Sequence, residues 1–190
     1  MLFRIALAAL ALTFVTACNQ QSSQQQGASD SPQLDAPAPD SEPSRVFAAT
    51  NDAARSATGQ LTVTMPLRLP DANSPNGEPT ETLSLHGATG LVVAADINGA
   101  VSPATQVGGQ TLRALLNLPV EEPQTIVYRV TAETKPASGQ GLCGTDAPAY
   151  VVLWEPSGPG EPVMKIMGVS GGAPGAAGAH ACPMLEYRRG

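Results

Sequence analysis

Apolar and polar side chains alternate with a period of two over several short stretches between residues 61 and 190. The first such stretch carries its apolar residues at every second position: Leu61, Val63, Met65, Leu67 and Leu69. This alternation is typical of a β-strand with one face in a core and the other in water. Pro66 has no amide proton to give to a neighbouring strand, so we expect this strand at a sheet edge.

Similar patterns predict six more strands, at residues 82–85, 91–95, 124–134, 149–154, 163–167 and 184–187. The stretch AYVVLW at 149–154 is apolar on both faces, which predicts a central strand. Turns rich in Gly, Pro and Asn separate these strands. The pattern therefore predicts a mainly β domain, with about seven antiparallel strands in a sandwich or small barrel.

Helical signals are short and occur twice. Thr111 is placed to cap a helix that runs through Leu118, with its leucines turned inward. Ser44 is placed to begin another helix, through VFAATNDAARSA, that ends before Gly59. We therefore expect one or two short helices beside the sheet.

The N-terminus has the form of a secretory signal followed by a cysteine. Arg4 precedes an apolar run from Ile5 to Val15, which is too short to span a bilayer as a permanent helix. The residues that follow, Val15-Thr16-Ala17-Cys18, resemble the lipobox of bacterial lipoproteins. This resemblance covers residues 1–20 only, and it identifies residues 1–17 as a lipoprotein signal peptide.

The resemblance implies that Cys18 is lipidated and becomes the first residue of the mature chain. Several acyl chains anchor firmly, because each buried methylene contributes about 0.8 kcal/mol. Asn19 follows the cysteine, where Asp would favour retention in the inner membrane. The expected location is the cell envelope, at the periplasmic face of the outer membrane.

Residues 18–44 are expected to form a disordered tether. They consist mainly of Gln, Ser, Pro, Ala and Asp, and such a segment buries too little apolar surface to offset the entropy of ordering. A flexible chain of this length has a root-mean-square reach on the order of 25 to 30 Å. Residues 45–190 then form a single β-rich domain of ordinary size.

Charge restricts the choice of partners. Loss of Arg4 with the signal leaves nine basic and sixteen acidic residues, a net charge of −7. Such a chain is poorly suited to nucleic acid, where neutralisation of phosphates supplies much of the affinity. We expect membrane contact through the lipid on Cys18, a periplasmic protein as partner, no nucleic acid and no cofactor.

Two cysteines, Cys143 and Cys182, remain in the predicted domain. An even pair in an oxidising compartment predicts a disulfide. The alternative is a zinc site of Cys143, Cys182, His180 and His86, but structural zinc sites usually place their ligands in closely spaced pairs. We therefore predict a disulfide and no metal.

The segment Gly168-Val169-Ser170-Gly171-Gly172 fits the G-x-S-x-G pattern of serine hydrolases. A nucleophile elbow needs a helix after the serine, whereas the residues up to Cys182 are rich in Gly and contain Pro174. No Asp or Glu lies between Ser170 and His180 to complete the triad order of these enzymes. We therefore expect a loop with no catalytic residue, and poor order at residues 171–180.

The same segment resembles the G-D-S-G-G motif of trypsin-like proteases, whose triad order is His, Asp, Ser. His86 and Asp96 lie upstream, but they are only ten residues apart and Val169 replaces the motif's acid. Glu121 and Glu122 lie between two prolines and, as neighbours, point in different directions, which favours a solvated turn. His86 is expected at the surface, and Trp154 is expected in the core.

Three classes of function remain open from the sequence. The favoured class is a noncatalytic envelope lipoprotein whose domain binds a protein or the cell wall, and it predicts an exposed apolar edge without a convergent polar pocket. The second is a lipocalin-like carrier of a small apolar ligand, which needs an enclosed apolar cavity. The third is a hydrolase that uses Ser170 with His86 or His180 within hydrogen-bond reach.

Overall fold

The structure, a computed structural model, describes residues 44–69, 78–156 and 163–190. These residues all belong to one compact unit. Within them, no helix is long and apolar enough to cross a membrane. The signal peptide, Cys18 and nearly all of the tether lie outside the described residues, so these predictions stay as stated.

The described residues form eleven strands and two short helices. The strands are β1 (Arg45–Ala49), β2 (Leu61–Thr64), β3 (Leu67–Arg68), β4 (Thr80–Gly87), β5 (Val92–Val101), β6 (Gln106–Val107), β7 (Gln110–Thr111), β8 (Thr125–Thr134), β9 (Tyr150–Trp154), β10 (Val163–Ser170) and β11 (His180–Arg189). The helices are α1 (Asp52–Ala57) and α2 (Leu112–Leu115).

Eight of these strands close into an antiparallel barrel. Their order is β2-β1-β11-β10-β9-β8-β5-β4, and β2 also pairs with β4 to close the ring. Strand β3 pairs with β4 beyond the end of β2, and β6 and β7 form a separate two-stranded ribbon. The predicted mainly β fold is confirmed, and of the two predicted arrangements it is the small barrel.

Side chains fill the barrel interior because each strand turns its alternate apolar residues inward. The buried interior cluster includes Phe47, Leu61, Val63, Leu83, Leu85, Val93, Val151, Ile166, Leu185 and Tyr187. The apolar residues that alternate along each strand in the sequence are therefore the residues that line the barrel interior.

A second apolar layer covers part of the barrel's outer surface. Helix α2 and the β6–β7 ribbon supply Leu112, Leu116 and Val107, which cluster with Val152 and Trp154 of β9. Strand β9 lies between β8 and β10, so the predicted central strand at 149–154 is confirmed. The strand is apolar on both faces because one face lines the barrel and the other lies under this layer.

The predicted edge strand at 61–69 is split. Its first part, β2, has neighbours on both sides and closes the barrel, so the prediction of an edge is wrong there. The ladder stops at Met65 and Pro66 and resumes as β3, since proline cannot donate a hydrogen bond to the ladder. Leu67 and Leu69 lie past the barrel rim and are exposed.

The helix predicted to begin at Ser44 is wrong in its first half. Residues 45–49 form β1, which pairs with β2 and β11 and buries Phe47 in the barrel. Pairing on both sides overrides the weak helical propensity of this stretch. The helix begins later, where the Asn51 side chain accepts a hydrogen bond from the amide of Ala54.

Thr111 caps α2 as predicted, through a hydrogen bond from the amide of Ala114 to its hydroxyl. The helix ends at Leu115, three residues earlier than expected. Asn117 adopts a left-handed backbone conformation, with φ of 47°, and this conformation stops the helix.

The barrel has one closed end. Helix α1 packs there, with Ala54 buried in the interior cluster, and the loop after β8 adds Leu142 to the same cluster. The amide of Leu142 donates to Glu133 Oε1 at 2.7 Å. The predicted disulfide between Cys143 and Cys182 is confirmed, and it joins this loop to β11.

Candidate functional site

The other end of the barrel is open, and we call it the mouth. It holds a cavity of about 330 Å³, lined at the ends of β1, β4, β8 and β9. The ionisable and aromatic residues that line it are Arg45, Glu81, Glu122, Tyr128, Trp154 and Glu155. Met65, Ile126 and Leu153 add apolar surface. The sequence-based expectation of no convergent polar pocket is therefore wrong.

Two arginines neutralise one carboxylate of the mouth. Arg45 Nη1 lies 2.6 Å from Glu155 Oε2, and Arg189 Nη2 lies 3.2 Å from Glu155 Oε1. Both guanidinium groups also lie over the Phe47 ring, at 5.5 and 5.9 Å from its centroid. Both oxygens of Glu155 are therefore engaged, and Arg45 is held beside an apolar surface.

Glu81 accepts a hydrogen bond from the Tyr128 hydroxyl. Burial, together with this bond and the nearby negative charge, raises the pKa of Tyr128 above its ordinary value. The phenol therefore stays protonated and acts as a donor that orients the Glu81 carboxylate. No described residue forms an ion pair with the side chain of Glu81 or Glu122.

Trp154 forms part of the cavity wall and is the only tryptophan in the chain. Its indole nitrogen is buried and has no hydrogen-bond partner among the described residues. The ammonium of Lys165, on neighbouring β10, lies 5.4 Å from the centroid of its ring and donates to the carbonyl of Asn117. The ring belongs to the outer apolar layer, on the face of β9 opposite Leu153.

Exposed apolar side chains gather around the mouth. The described chain has five large apolar residues that are 38 to 79% exposed: Val46, Leu67, Leu69, Ile97 and Val120. Val46 and Ile97 lie in the mouth halves of β1 and β5. Leu67 and Leu69 lie past the end of β2, and Val120 lies in the loop that leads into β8. These exposed side chains therefore lie toward the same end of the barrel as the cavity, and a continuous apolar edge stays a prediction.

The interior of the closed half of the barrel has no comparable space. Leu61, Leu91, Leu142, Ile166 and Tyr187 surround a region that has no room for a water molecule. The Tyr187 hydroxyl lies 2.7 Å from Thr58 Oγ1 and completes the packing there. This region is filled core.

Ser170 and His180 lie directly opposite each other on β10 and β11. Ser170 is buried and His180 is exposed. Within the described part of the chain, no hydrogen bond joins the Ser170 hydroxyl to either histidine. Turns and then β11 follow the serine, so the helix of a nucleophile elbow is missing at residues 171–179.

Two glycines near Ser170, Gly168 and Gly171, have packing roles. A Cβ at Gly168 would lie 2.6 Å from Cys143 Sγ, so the disulfide needs glycine there. Gly171 has φ of 76°, and a Cβ there would lie 2.2 Å from the Gly178 carbonyl oxygen. These contacts explain both glycines without a nucleophile.

The glycine-rich loop is anchored in the structure. The amide of Gly175 donates to the carbonyl of Gln106 at 2.9 Å, and Ala179 is buried in the outer layer. Poor order at residues 171–180 stays a prediction, although these contacts favour slow amide exchange at Gly175 and Ala179.

The other sequence candidates lie apart. His86 is on β4, with three strands between it and β10 in either direction around the barrel, and its Nε2 lies 2.9 Å from the hydroxyl of Ser84. Asp96 forms a two-point ion pair with Arg68, at 3.0 Å for each contact. Because the two cysteines are bonded to each other and His86 is remote, the alternative zinc ligands do not come together.

Reasoning from sequence missed Arg45, Glu81 and Glu155. Each lies two residues from a buried apolar residue of its own strand, as Arg45 does from Phe47, and Glu81 does from Leu83. A charged residue in phase with the inward positions, at a strand end, is the signal that could have found them. Glu121 and Glu122 do point differently, since Glu121 is exposed whereas Glu122 lines the cavity.

Comparison with protein family models, curated proteins and solved structures found no match to this chain.

Proposed function

We propose that this protein is a membrane-anchored envelope lipoprotein with a noncatalytic β-barrel domain that binds a periplasmic protein through its mouth. The leader and the lipobox-like sequence before Cys18 support the anchor and the envelope location. The observation that carries the binding function is the mouth itself, where exposed apolar side chains surround a polar cavity. Apolar surface rimmed by polar groups is typical of interaction sites.

The attachment of the tether agrees with this arrangement. The described chain enters the barrel at Arg45, whose side chain lines the mouth. A tether of about 26 residues gives the domain a reach on the order of 25 to 30 Å from its lipid. The mouth can therefore meet a partner that lies near the membrane surface.

The two alternatives have less support. A lipocalin-like carrier needs an enclosed apolar cavity, whereas the apolar interior is filled and the cavity present is open and charged. A hydrolase based on Ser170 needs a base within hydrogen-bond reach, and neither histidine provides that contact in the described residues.

Processing tests the anchor. The full chain, expressed in a bacterium that processes lipoproteins, is expected in the membrane fraction, with an acylated N-terminal peptide that begins at Cys18 by mass spectrometry. Cys18→Ser is expected to remove the acyl mass. Cleavage at another position, or an unmodified Cys18, would contradict the lipoprotein assignment.

Capture from envelope extract tests the binding function. The full chain in mild detergent is the bait, and the matched variants are Val120→Asp at the mouth and Ala137→Asp at the closed end, both at exposed positions. We expect Val120→Asp to abolish capture of a specific protein and Ala137→Asp to leave it unchanged. Equal capture by both variants would contradict a binding surface at the mouth.

A further inference from the structure

The mouth cavity has unbalanced charge. Its four ionisable side chains apart from tyrosine are three carboxylates and one arginine, and that arginine is already paired with Glu155. Glu81 and Glu122 are both half-buried, and neither has a cationic partner among the described residues. Carboxylates that have lost part of their hydration without gaining a counter-charge favour the binding of a cation.

The position of Glu81 is fixed before any ligand arrives. The Tyr128 hydroxyl donates to Oε1 of Glu81, and Tyr128 is itself part of the buried interior cluster. A carboxylate held by such a bond loses little side-chain entropy when a ligand binds. Oε2 has no hydrogen bond from any described residue, so it is available as an acceptor.

The wall of the cavity is suited to a cation on an apolar stem. Met65, Ile126 and Leu153 provide aliphatic surface. A volume of about 330 Å³ is at the lower limit for ligand sites. The cavity therefore has room for one amino-acid side chain. A lysine side chain combines an apolar stem with a terminal charge in this way.

We propose that the mouth cavity is a recognition site for a lysine side chain of the partner protein, with its ammonium group bound by Glu81 and Glu122 and its methylenes packed against Met65, Ile126 and Leu153. This site rests on the proposed function, since it names the chemistry by which the mouth recognises its partner. The exposed apolar residues around the mouth then contact the surface next to that lysine.

Two blocked tripeptides provide the direct test: Ala-Lys-Ala, and the same peptide with norleucine in place of lysine. Norleucine keeps an aliphatic stem of similar length and removes the charge. We titrate each into the ¹⁵N-labelled full chain in detergent micelles at constant ionic strength. The lysine peptide is expected to shift the backbone amide signal of Trp154, a residue that lines the cavity, and the norleucine peptide is expected to bind at least about threefold more weakly.

Adjacent carboxylates provide the matched variants. Glu122→Gln and Glu81→Gln are expected to weaken binding of the lysine peptide by about three- to tenfold. Glu121→Gln removes a charge one residue away, at an exposed position outside the cavity, and is expected to change binding by less than about 1.5-fold. Glutamine at position 81 keeps an acceptor for Tyr128, and unchanged thermal unfolding verifies that the fold is intact.

Three results would overturn the site: equal binding of the two peptides, no shift at Trp154, or equal effects of Glu121→Gln and Glu122→Gln. The capture experiment separates this inference from the proposed function. Capture of the partner could be lost with Val120→Asp but unchanged by Glu81→Gln and Glu122→Gln. That result would agree with the proposed function and would exclude the lysine site. Loss of capture with all three variants, and not with Glu121→Gln, is the expected result.

Discussion

The two ends of the barrel differ in the side chains that occupy their inward positions and in whether the interior is filled. At the closed end, Leu142 and helix α1 cover the interior, a disulfide holds the covering loop, and the enclosed space is filled. At the mouth, charged side chains replace apolar ones at the inward positions, and the cavity remains open. All five exposed large apolar residues of the described chain lie toward this second end.

This difference separates stability from binding within one small domain. Burial of apolar surface at the closed end stabilises the fold. Exposed apolar side chains and unpaired carboxylates at the mouth do not, and such departures from the usual pattern are expected at functional sites. Substitutions at the closed end should therefore change unfolding, whereas substitutions at the mouth should change binding.

Removal of the disulfide should have the largest effect on stability. The bond joins residues 39 apart in the sequence, and the chain-entropy model gives about 4 kcal/mol for a loop of this length. We expect Cys143→Ala/Cys182→Ala to lower the free energy of unfolding by about this amount in a urea titration. As a control at the mouth, Glu155→Gln is expected to cost less than about 1 kcal/mol, because its ion pairs are partly solvated.

If the cysteine variant unfolds at the same urea concentration as the native chain, the loop is held by packing alone. Burial of Leu142 and α1 would then be enough to keep this end closed. The difference in stability between the two ends would come from burial alone, with no contribution from the disulfide.

A pair of leucine substitutions tests burial directly. Leu142 is 2% exposed at the closed end, whereas Leu67 is 59% exposed beyond the rim. Leu142→Ala is expected to cost about 3 kcal/mol, through lost burial and the cavity left behind. Leu67→Ala is expected to change stability by less than about 0.5 kcal/mol. Thermal or urea unfolding measures both, and similar values for the two variants would contradict the assigned difference between the ends.

The fold was largely predictable because the alternation of apolar and polar residues along a strand is visible in the sequence. The stretch at 149–154 indicated its central position, since a strand buried on both faces has no polar side. The segment at 44–49 was not predictable, because Phe47 alone gives too short a pattern to outweigh the helical residues that follow. Pro66 was assigned to an edge, whereas the chain accommodates it in a break between β2 and β3.

The candidate site was much less predictable than the fold. Arg45, Glu81 and Glu155 lie on three strands that are far apart in sequence, and only closure of the barrel brings them to one cavity. The disulfide was predictable, because two cysteines allow only one pairing within the domain. The Gly168 motif was misleading as a chemical signal, since its glycine is required by contact with the Cys143 sulfur.

Tyr187 gives the smallest effect and links the closed end to pH. Burial raises its pKa from 10.0 to about 12, although its hydrogen bond with Thr58 acts in the opposite direction. The folded state therefore holds the phenol proton more tightly than the unfolded chain, so this contribution to stability is complete below pH 10 and is lost as the pH rises toward 12. We expect a loss of about 2 kcal/mol across this range in urea titrations. Tyr187→Phe should remove about this amount of the pH dependence, and Tyr150→Phe should retain it. The pH dependence that remains in Tyr187→Phe comes from Tyr128, whose pKa is also raised by burial. A pH dependence as large in Tyr187→Phe as in the native chain would contradict this contribution of Tyr187.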